Sequence, residues 1–237
     1  MIRAVVFDMD GILFDTERMS VEGWRETAAE MGFGDMEEGI YGCIGLNRTD
    51  CRNFLLKTYG ADFPYETFRE KTADRFEKRM KRDGLPIMKG APELLEWLSG
   101  QPVKLALASS THTASVKSHL ERAGFTDYFQ AVIGGDMVEH SKPRPDIYRK
   151  ACALLEVKPE EAVAVEDSPN GIRSAHAAGM LPIMVPDLVK PTEEIRQMLY
   201  AECGSLSGVR DLLEERLGVV KDARYEGNQA GFAERRF

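Results

Sequence analysis

The stretch Val5-Val6-Phe7-Asp8-Met9-Asp10-Gly11 constrains this chain more than any other. Ala4 to Phe7 is a short apolar run, β-branched in its middle, of the kind that forms a central strand covered on both faces. Two carboxylates follow, one residue apart, and Gly11 permits a sharp turn that a Cβ would resist. In an open α/β sheet, ligands bind at the carboxyl ends of the strands. Two acids at such a place repel each other unless a cation or a shared proton relieves them. On this pair alone two readings stand open: a metal-dependent acid pair, or a solvated turn made of ordinary turn residues.

Beyond Asp15 the pattern turns helical. Asp15 is suited to a helix cap or turn anchor, and Trp24, Ala28 and Met31 mark the face of a first helix. Gly39, Gly42 and Gly45 read as a glycine-rich loop. Cys51, Phe54, Leu55 and Thr58 stripe a second helix. Tyr65, Phe68, Thr72, Phe76 and Met80 stripe a third, with Phe68 and Phe76 expected in its core. The α/β pattern resumes at Leu85. Strands are expected over 103–108, 131–133, 162–165 and 181–185, alternating with helices that begin near Gly90, His112, Pro145 and Ser168. Ile147, Ala151 and Leu154 mark the inward face of one of these helices. The alternation predicts a doubly wound, Rossmann-like parallel sheet with helices on both faces. The expected domains are an α/β core over 1–15 and 85–217, an all-helical domain over 16–84, and a polar, flexible tail over 218–237.

Charge narrows the partners. The 237 residues carry 39 acids against 31 Lys plus Arg, a formal net charge of -8. That is the wrong sign for a general nucleic-acid binder. It also gives no long-range attraction for an anionic substrate, so any phosphate site must rely on local donors. No apolar run approaches the ~20 residues of a membrane span, and the chain opens on a strand rather than a signal-type segment. Cys43, Cys51, Cys152 and Cys203 show neither CxxC spacing nor a zinc pattern. They read as reduced packing thiols of a cytoplasmic protein. The expected partner is a small phosphorylated metabolite, with no nucleic acid and no membrane; the oligomeric state is open, a monomer being compatible with the sequence.

Polar side chains follow the apolar strands or their loops: Asp8 and Asp10, then Ser109, then Lys142, then Glu166 and Asp167. In a parallel sheet these ends share one edge, so groups far apart in sequence converge. Carboxylates, a lysine and a hydroxyl form a coherent set for phosphoryl transfer, and hard oxygen donors suit Mg²⁺.

These residues also carry a resemblance. Asp8-Met9-Asp10-Gly11-Ile12-Leu13-Phe14-Asp15 resembles the first signature of the haloacid dehalogenase superfamily. Leu107-Ala108-Ser109-Ser110 resembles the second, Ser141-Lys142-Pro143-Arg144-Pro145-Asp146 the third, and Val165-Glu166-Asp167-Ser168-Pro169-Asn170-Gly171 the fourth. All four stand in the expected order over residues 2–217. The similarity is strongest to the β-phosphoglucomutase-like branch, with a helical cap inserted after the first strand.

The resemblance implies that Asp8 is the nucleophile and forms an aspartyl-phosphate. It makes Asp10 the general acid and then the base, with its backbone carbonyl rather than its side chain toward Mg²⁺. Asp8, Asp10 and Asp167 would hold the metal, with Glu166 a ligand or just behind one. Ser109, Ser110 and Lys142 would bind the phosphoryl group.

Three functions follow. The first is a Mg²⁺-dependent phosphatase acting on a small, sugar-phosphate-like phosphomonoester. The second is a sugar-phosphate mutase, and the third a fold that binds a ligand without turnover. In mutases of this branch a histidine follows the first signature on the first cap helix; Ser20 occupies that place here, which favours the phosphatase. Arg48, in a loop resembling the mutases' substrate loop, is a candidate for holding a second phosphate. The four histidines form no cluster and receive no role.

Overall fold

The central strands alternate small and large side chains, and this alternation sorts the helices onto two faces. Val5, Phe7, Leu105, Leu107, Val163 and Val165 lie in one core, while Ala4, Val6, Ala106, Ala108, Ala162 and Ala164 lie in the other. The computed structural model describes residues 1–217; the expected tail over 218–237 lies outside the described residues. In chain order the elements begin with β1 (Ala4–Phe7), then α1 (Thr16–Glu30), α2 (Glu37–Gly42), α3 (Arg48–Tyr59) and α4 (Tyr65–Asp83). Next come α5 (Ala91–Ser99), β2 (Lys104–Ala108), α6 (Thr113–Ala123), β3 (Ala131–Ile133), α7 (Asp146–Leu155) and β4 (Ala162–Glu166). The last are α8 (Pro169–Ala178), β5 (Leu181–Met184), α9 (Glu193–Arg196), β6 (Ala201–Glu202) and α10 (Leu206–Leu217).

The strands form one six-stranded sheet in the order β3-β2-β1-β4-β5-β6, with every neighbour parallel. This is the doubly wound architecture that the alternation of elements predicts. β6 escaped the pattern because two residues carry no period. The bulky face packs against α5, α6 and α10, and the alanine-rich face against α7 and α8. Small side chains let α7 and α8 lie close to the strands, which matters for the polar groups below. In register, Phe7 sits beside both Leu107 and Val165. Asp8, Ala108 and Glu166 are therefore level with one another at the sheet edge.

Helices α1 to α4 pack around a core of their own that includes Val21, Ala28, Ile40, Leu55, Tyr65 and Phe68. The segment expected as a glycine-rich loop contains α2. Gly39 and Gly42 serve packing rather than turning: a Cβ on Gly39 would fall 2.6 Å from the Tyr59 ring, and one on Gly42 2.2 Å from the Phe54 ring, while Gly45 turns the chain as expected, at a φ of +75. Phe76 also departs from expectation. It stays outside this core and lines a cavity, its ring 6.5 Å from that of His119. Asp15 sits at the start of α1 without a side-chain capping bond and instead faces Arg18 at 3.3 Å. Its role as a turn anchor is carried by the backbone, where Asp15 N donates to Pro86 O at 2.9 Å and Met88 N to Leu13 O at 2.9 Å. The two connections between helices and sheet thus run side by side.

All four cysteines are buried free thiols, with the Cys43 and Cys51 sulfurs 2.9 Å apart. Among the described residues no helix is long and apolar enough to cross a membrane. Leu55 is fully buried at the centre of the helical layer. Leu55→Ala is expected to cost about 3 kcal/mol through lost burial and a residual cavity, measured as a shift in the urea unfolding midpoint.

Candidate active site

β1, β2 and β4 end side by side, and the strand order reverses between β1 and β4. That is the crevice where an open α/β sheet binds its ligands. Lys142, in the loop after β3, reaches into it and is 2% exposed. Its Nζ donates to Asp8 Oδ1 at 2.5 Å, to Glu166 Oε1 at 2.6 Å and to the Ala108 carbonyl at 3.1 Å. All three ammonium protons are used.

Glu166 is saturated. Its Oε1 also accepts from Tyr148 Oη at 2.6 Å, and its Oε2 accepts from Asp167 N, Ser168 N and Ser168 Oγ at 3.1–3.3 Å. This requires the first turn of α8 to lie against the carboxylate. A Cβ on Gly171 would fall 1.9 Å from it, so only glycine fits there. Gly11 meets two demands at once: its φ is +78, and a Cβ on it would fall 2.3 Å from Asp167 Oδ2.

Asp10 is held by hydroxyls. Its Oδ2 accepts from Thr111 Oγ1 at 3.0 Å and from Ser109 Oγ at 3.5 Å, and its Oδ1 accepts from Thr16 at the start of α1. Ser109 is fully buried. Ser110 lines the same cavity, and its Oγ donates to the Gly45 carbonyl at 3.1 Å, linking the sheet edge to the loop before α3.

Burial dominates the electrostatics. It pushes the Asp8 carboxyl up to about 8, against the pull of Lys142 and with Glu166 and Asp10 adding repulsion. Asp167 is also driven well above its usual range by burial, and then by its acidic neighbours Glu17, Glu166 and Asp8. Burial opposes the charge on Lys142, but Asp8 and Glu166 outweigh it and hold the ammonium firmly protonated.

Asp8, Glu166 and Asp167 each bring a carboxylate oxygen to within 4.8 Å of the others. Asp167 Oδ1 is buried without a hydrogen-bond partner among the described residues. A buried carboxylate oxygen lacking a donor is a costly arrangement. An all-oxygen cluster with such an oxygen fits a hard divalent cation such as Mg²⁺.

The crevice opens into a cavity of about 860 Å³ between the sheet edge and the helices of residues 16–83, with Asp8, Asp10, Lys142 and Asp167 on its wall. Arg48 borders it as the first residue of α3, not in a loop, and pairs with Glu66 at 2.8 Å. Ser20 lines it too.

The structure brings five further residues to the site that stand outside the expected set: Thr16, Thr111, Tyr148, His119 and Glu17. Tyr148 was missed because the inward stripe of α7 was phased wrongly. Leu154 is exposed, and Tyr148, Cys152 and Leu155 are buried with Ile147 and Ala151. His119 lies on the cavity wall against Phe14 and Phe76, its Nδ1 buried; burial lowers its pKa. Glu17 had a legible signal, since it shares the helical face of Val21, Trp24 and Ala28, where an acid is out of place.

Removing the lysine exposes the cost of the cluster. Lys142→Met leaves Asp8 and Glu166 buried without their cation, a loss of about 3–5 kcal/mol near pH 8. Carboxyls with raised pKa values bind more protons folded than unfolded, so their penalty grows with pH and shrinks in acid. Chemical denaturation in EDTA at pH 8 and pH 5.5 checks this; the variant's deficit should be smaller at the lower pH.

Comparison with known proteins agrees with this geometry. The family model described as haloacid dehalogenase-like hydrolase matches residues 5–185. The phosphorylated carbohydrates phosphatase of Thermotoga maritima is 31% identical, over 93% of this chain and 99% of that protein. The beta-phosphoglucomutase of Bacillus subtilis is 30% identical, over 78% of this chain and 83% of that protein. The crystal structure of a D10N mutant of CbbY from Rhodobacter sphaeroides in complex with xylulose-1,5-bisphosphate superposes with a TM-score of 0.73 at 30% identity, covering 87% of this chain and 96% of that one. With the four signature segments meeting at one sheet edge and the family match spanning most of the chain, the protein belongs to the haloacid dehalogenase-like hydrolases.

Proposed function

We propose that the protein is a Mg²⁺-dependent phosphatase that hydrolyses a small sugar phosphate through an aspartyl-phosphate on Asp8. The observation that carries the reading is Asp8 itself. It is a buried carboxylate at the wall of the cavity, with one oxygen held by Lys142 at 2.5 Å and an unsatisfied carboxylate, Asp167, beside it. The similarity to a phosphorylated carbohydrates phosphatase and to a CbbY that holds a sugar bisphosphate supports the substrate class.

Asp8, Asp167 and the backbone carbonyl of Asp10 would hold the metal, which when bound offsets carboxylate charge and polarises the phosphoryl group. Glu166 acts from behind: both its oxygens are engaged, and it fixes Lys142 and the first turn of α8. Asp8 attacks phosphorus through the oxygen that Lys142 leaves free. Lys142 and Ser109 bind the equatorial oxygens of the phosphoryl group as charge moves onto them. Asp10 gives a proton to the leaving alkoxide and then takes one from the water that cleaves the acyl phosphate. Thr16 and Thr111 hold its carboxyl in place for both transfers.

Residues 16–84 serve as a cap over this site and residues 1–15 with 85–217 as the core. The separate apolar core of α1 to α4 and the paired connections at Asp15 and Pro86 support that division. Arg48 on the cavity wall is placed to meet a distal anionic group of the substrate. The mutase alternative draws on the beta-phosphoglucomutase similarity; Ser20, where mutases carry a histidine, weighs against it.

With MgCl₂ the wild-type protein should release phosphate from an aryl phosphate and, faster, from one or more sugar phosphates in a panel. Asp8→Asn should abolish release, and Asp10→Asn should lower kcat by about 10²–10⁴-fold. Interconversion of hexose 1- and 6-phosphates without net phosphate release would replace the phosphatase reading with the mutase.

A further inference from the structure

Glu17 takes no part in the chemistry above, yet it enters the site. It stands in the first turn of α1, lines the cavity, and brings its carboxyl within hydrogen-bonding reach of Asp167. Glu17 Oε2 and Asp167 Oδ1 are both buried without a hydrogen-bond partner among the described residues.

Among the described residues no cation is paired with either acid. Lys142 spends its protons on Asp8, Glu166 and the Ala108 carbonyl. Arg18, the nearest cation along α1, is turned toward Asp15 and Asp187. Around the pair stand Asp8, Asp10 and Glu166, three further carboxylates. A partly buried carboxyl of α1 facing the buried carboxyl of Asp167, each with an unsatisfied oxygen, is an arrangement that a hydrated divalent cation resolves. Mg²⁺ keeps several of its waters, and those waters donate to carboxylates that are not themselves ligands.

We propose that Glu17 is a positioning residue for the divalent cation, accepting a hydrogen bond from a cation-bound water and thereby tying the cap's first helix to the metal on the core. The inference rests on the metal reading above and adds to it a group outside the four signature segments, carried by the cap. Glu17 does not touch phosphorus or the leaving group. Its effect is on cation affinity and on how the cap sits when the cation is present.

The alternative is a structural role in which a shared proton holds Glu17 against Asp167. The two roles predict opposite signs in the absence of metal. If Glu17 is there for the cation, Glu17→Gln removes a repelling charge from an acidic cluster. The EDTA-treated variant then melts at the wild-type temperature or above it, while its affinity for Mg²⁺ falls by about 10-fold. Glu17→Asp, which keeps the charge on a shorter arm, should recover part of that affinity.

The experiment is a thermal-shift titration of the full chain with MgCl₂, after EDTA treatment and dialysis, for wild type, Glu17→Gln and Glu17→Asp. A lower melting temperature for Glu17→Gln without metal, together with an unchanged Mg²⁺ midpoint, overturns the proposal and leaves the metal reading standing. A wild-type protein whose melting temperature ignores MgCl₂ overturns the metal reading and this inference with it.

Discussion

Lys142 holds the site together. Its ammonium sits between Asp8 and Glu166 in a place almost closed to water, where an unpaired charge of either sign would be expensive. The lysine arrives from the loop after β3, Asp8 from the end of β1 and Glu166 from the end of β4, so one cation ties three separate parts of the sheet edge. Breaking even is the common fate of buried ion pairs, and this cluster is not neutral. Asp8, Asp10, Glu166 and Asp167 outnumber the one lysine, with Glu17 beside them. Such an excess suits the proposed divalent cation and phosphate, whose charges oppose one another.

The sheet beneath is shaped for this cluster. Alanines at 4, 106, 108, 162 and 164 keep one face of the sheet shallow, and α7 and α8 lie close against it. That proximity brings the Tyr148 hydroxyl to 2.6 Å from Glu166 and puts the first turn of α8 against the same carboxylate. Gly171 is the point of closest approach, and Gly11 plays the same part beside Asp167. The chemistry of the site therefore depends on small residues that have no chemistry of their own. A side chain on Gly171 or Gly11 would displace the carboxylate of Glu166 or Asp167 rather than merely crowd the core.

Much of this was legible in the chain. The apolar runs before Asp8, Ser109 and Glu166 marked strands, and parallel order placed their ends together without knowledge of any contact. What could not be read was what depends on helix phase and on distance across the cavity. Tyr148 was hidden by a one-residue error in the stripe of α7, where Leu154 looks apolar enough to face inward but is exposed. Phe76 fits a core stripe by spacing, yet faces the cavity because α4 borders it. The glycines of α2 resembled a loop because close helix packing and turning call for the same residue. Thr111 and Thr16 carry no motif signal; only the fold brings their hydroxyls onto Asp10.

In the proposed reaction, phosphoryl transfer passes through Asp8. The most direct measurement is to quench the enzyme during turnover of a sugar phosphate, reduce with borohydride, and sequence the peptides by mass spectrometry. An acyl phosphate on Asp8 is reduced to homoserine at that position, and homoserine is expected at residue 8 and at no other acid. Steady turnover with Asp8 recovered unmodified, or homoserine appearing at Asp10 or Asp167 instead, would contradict it.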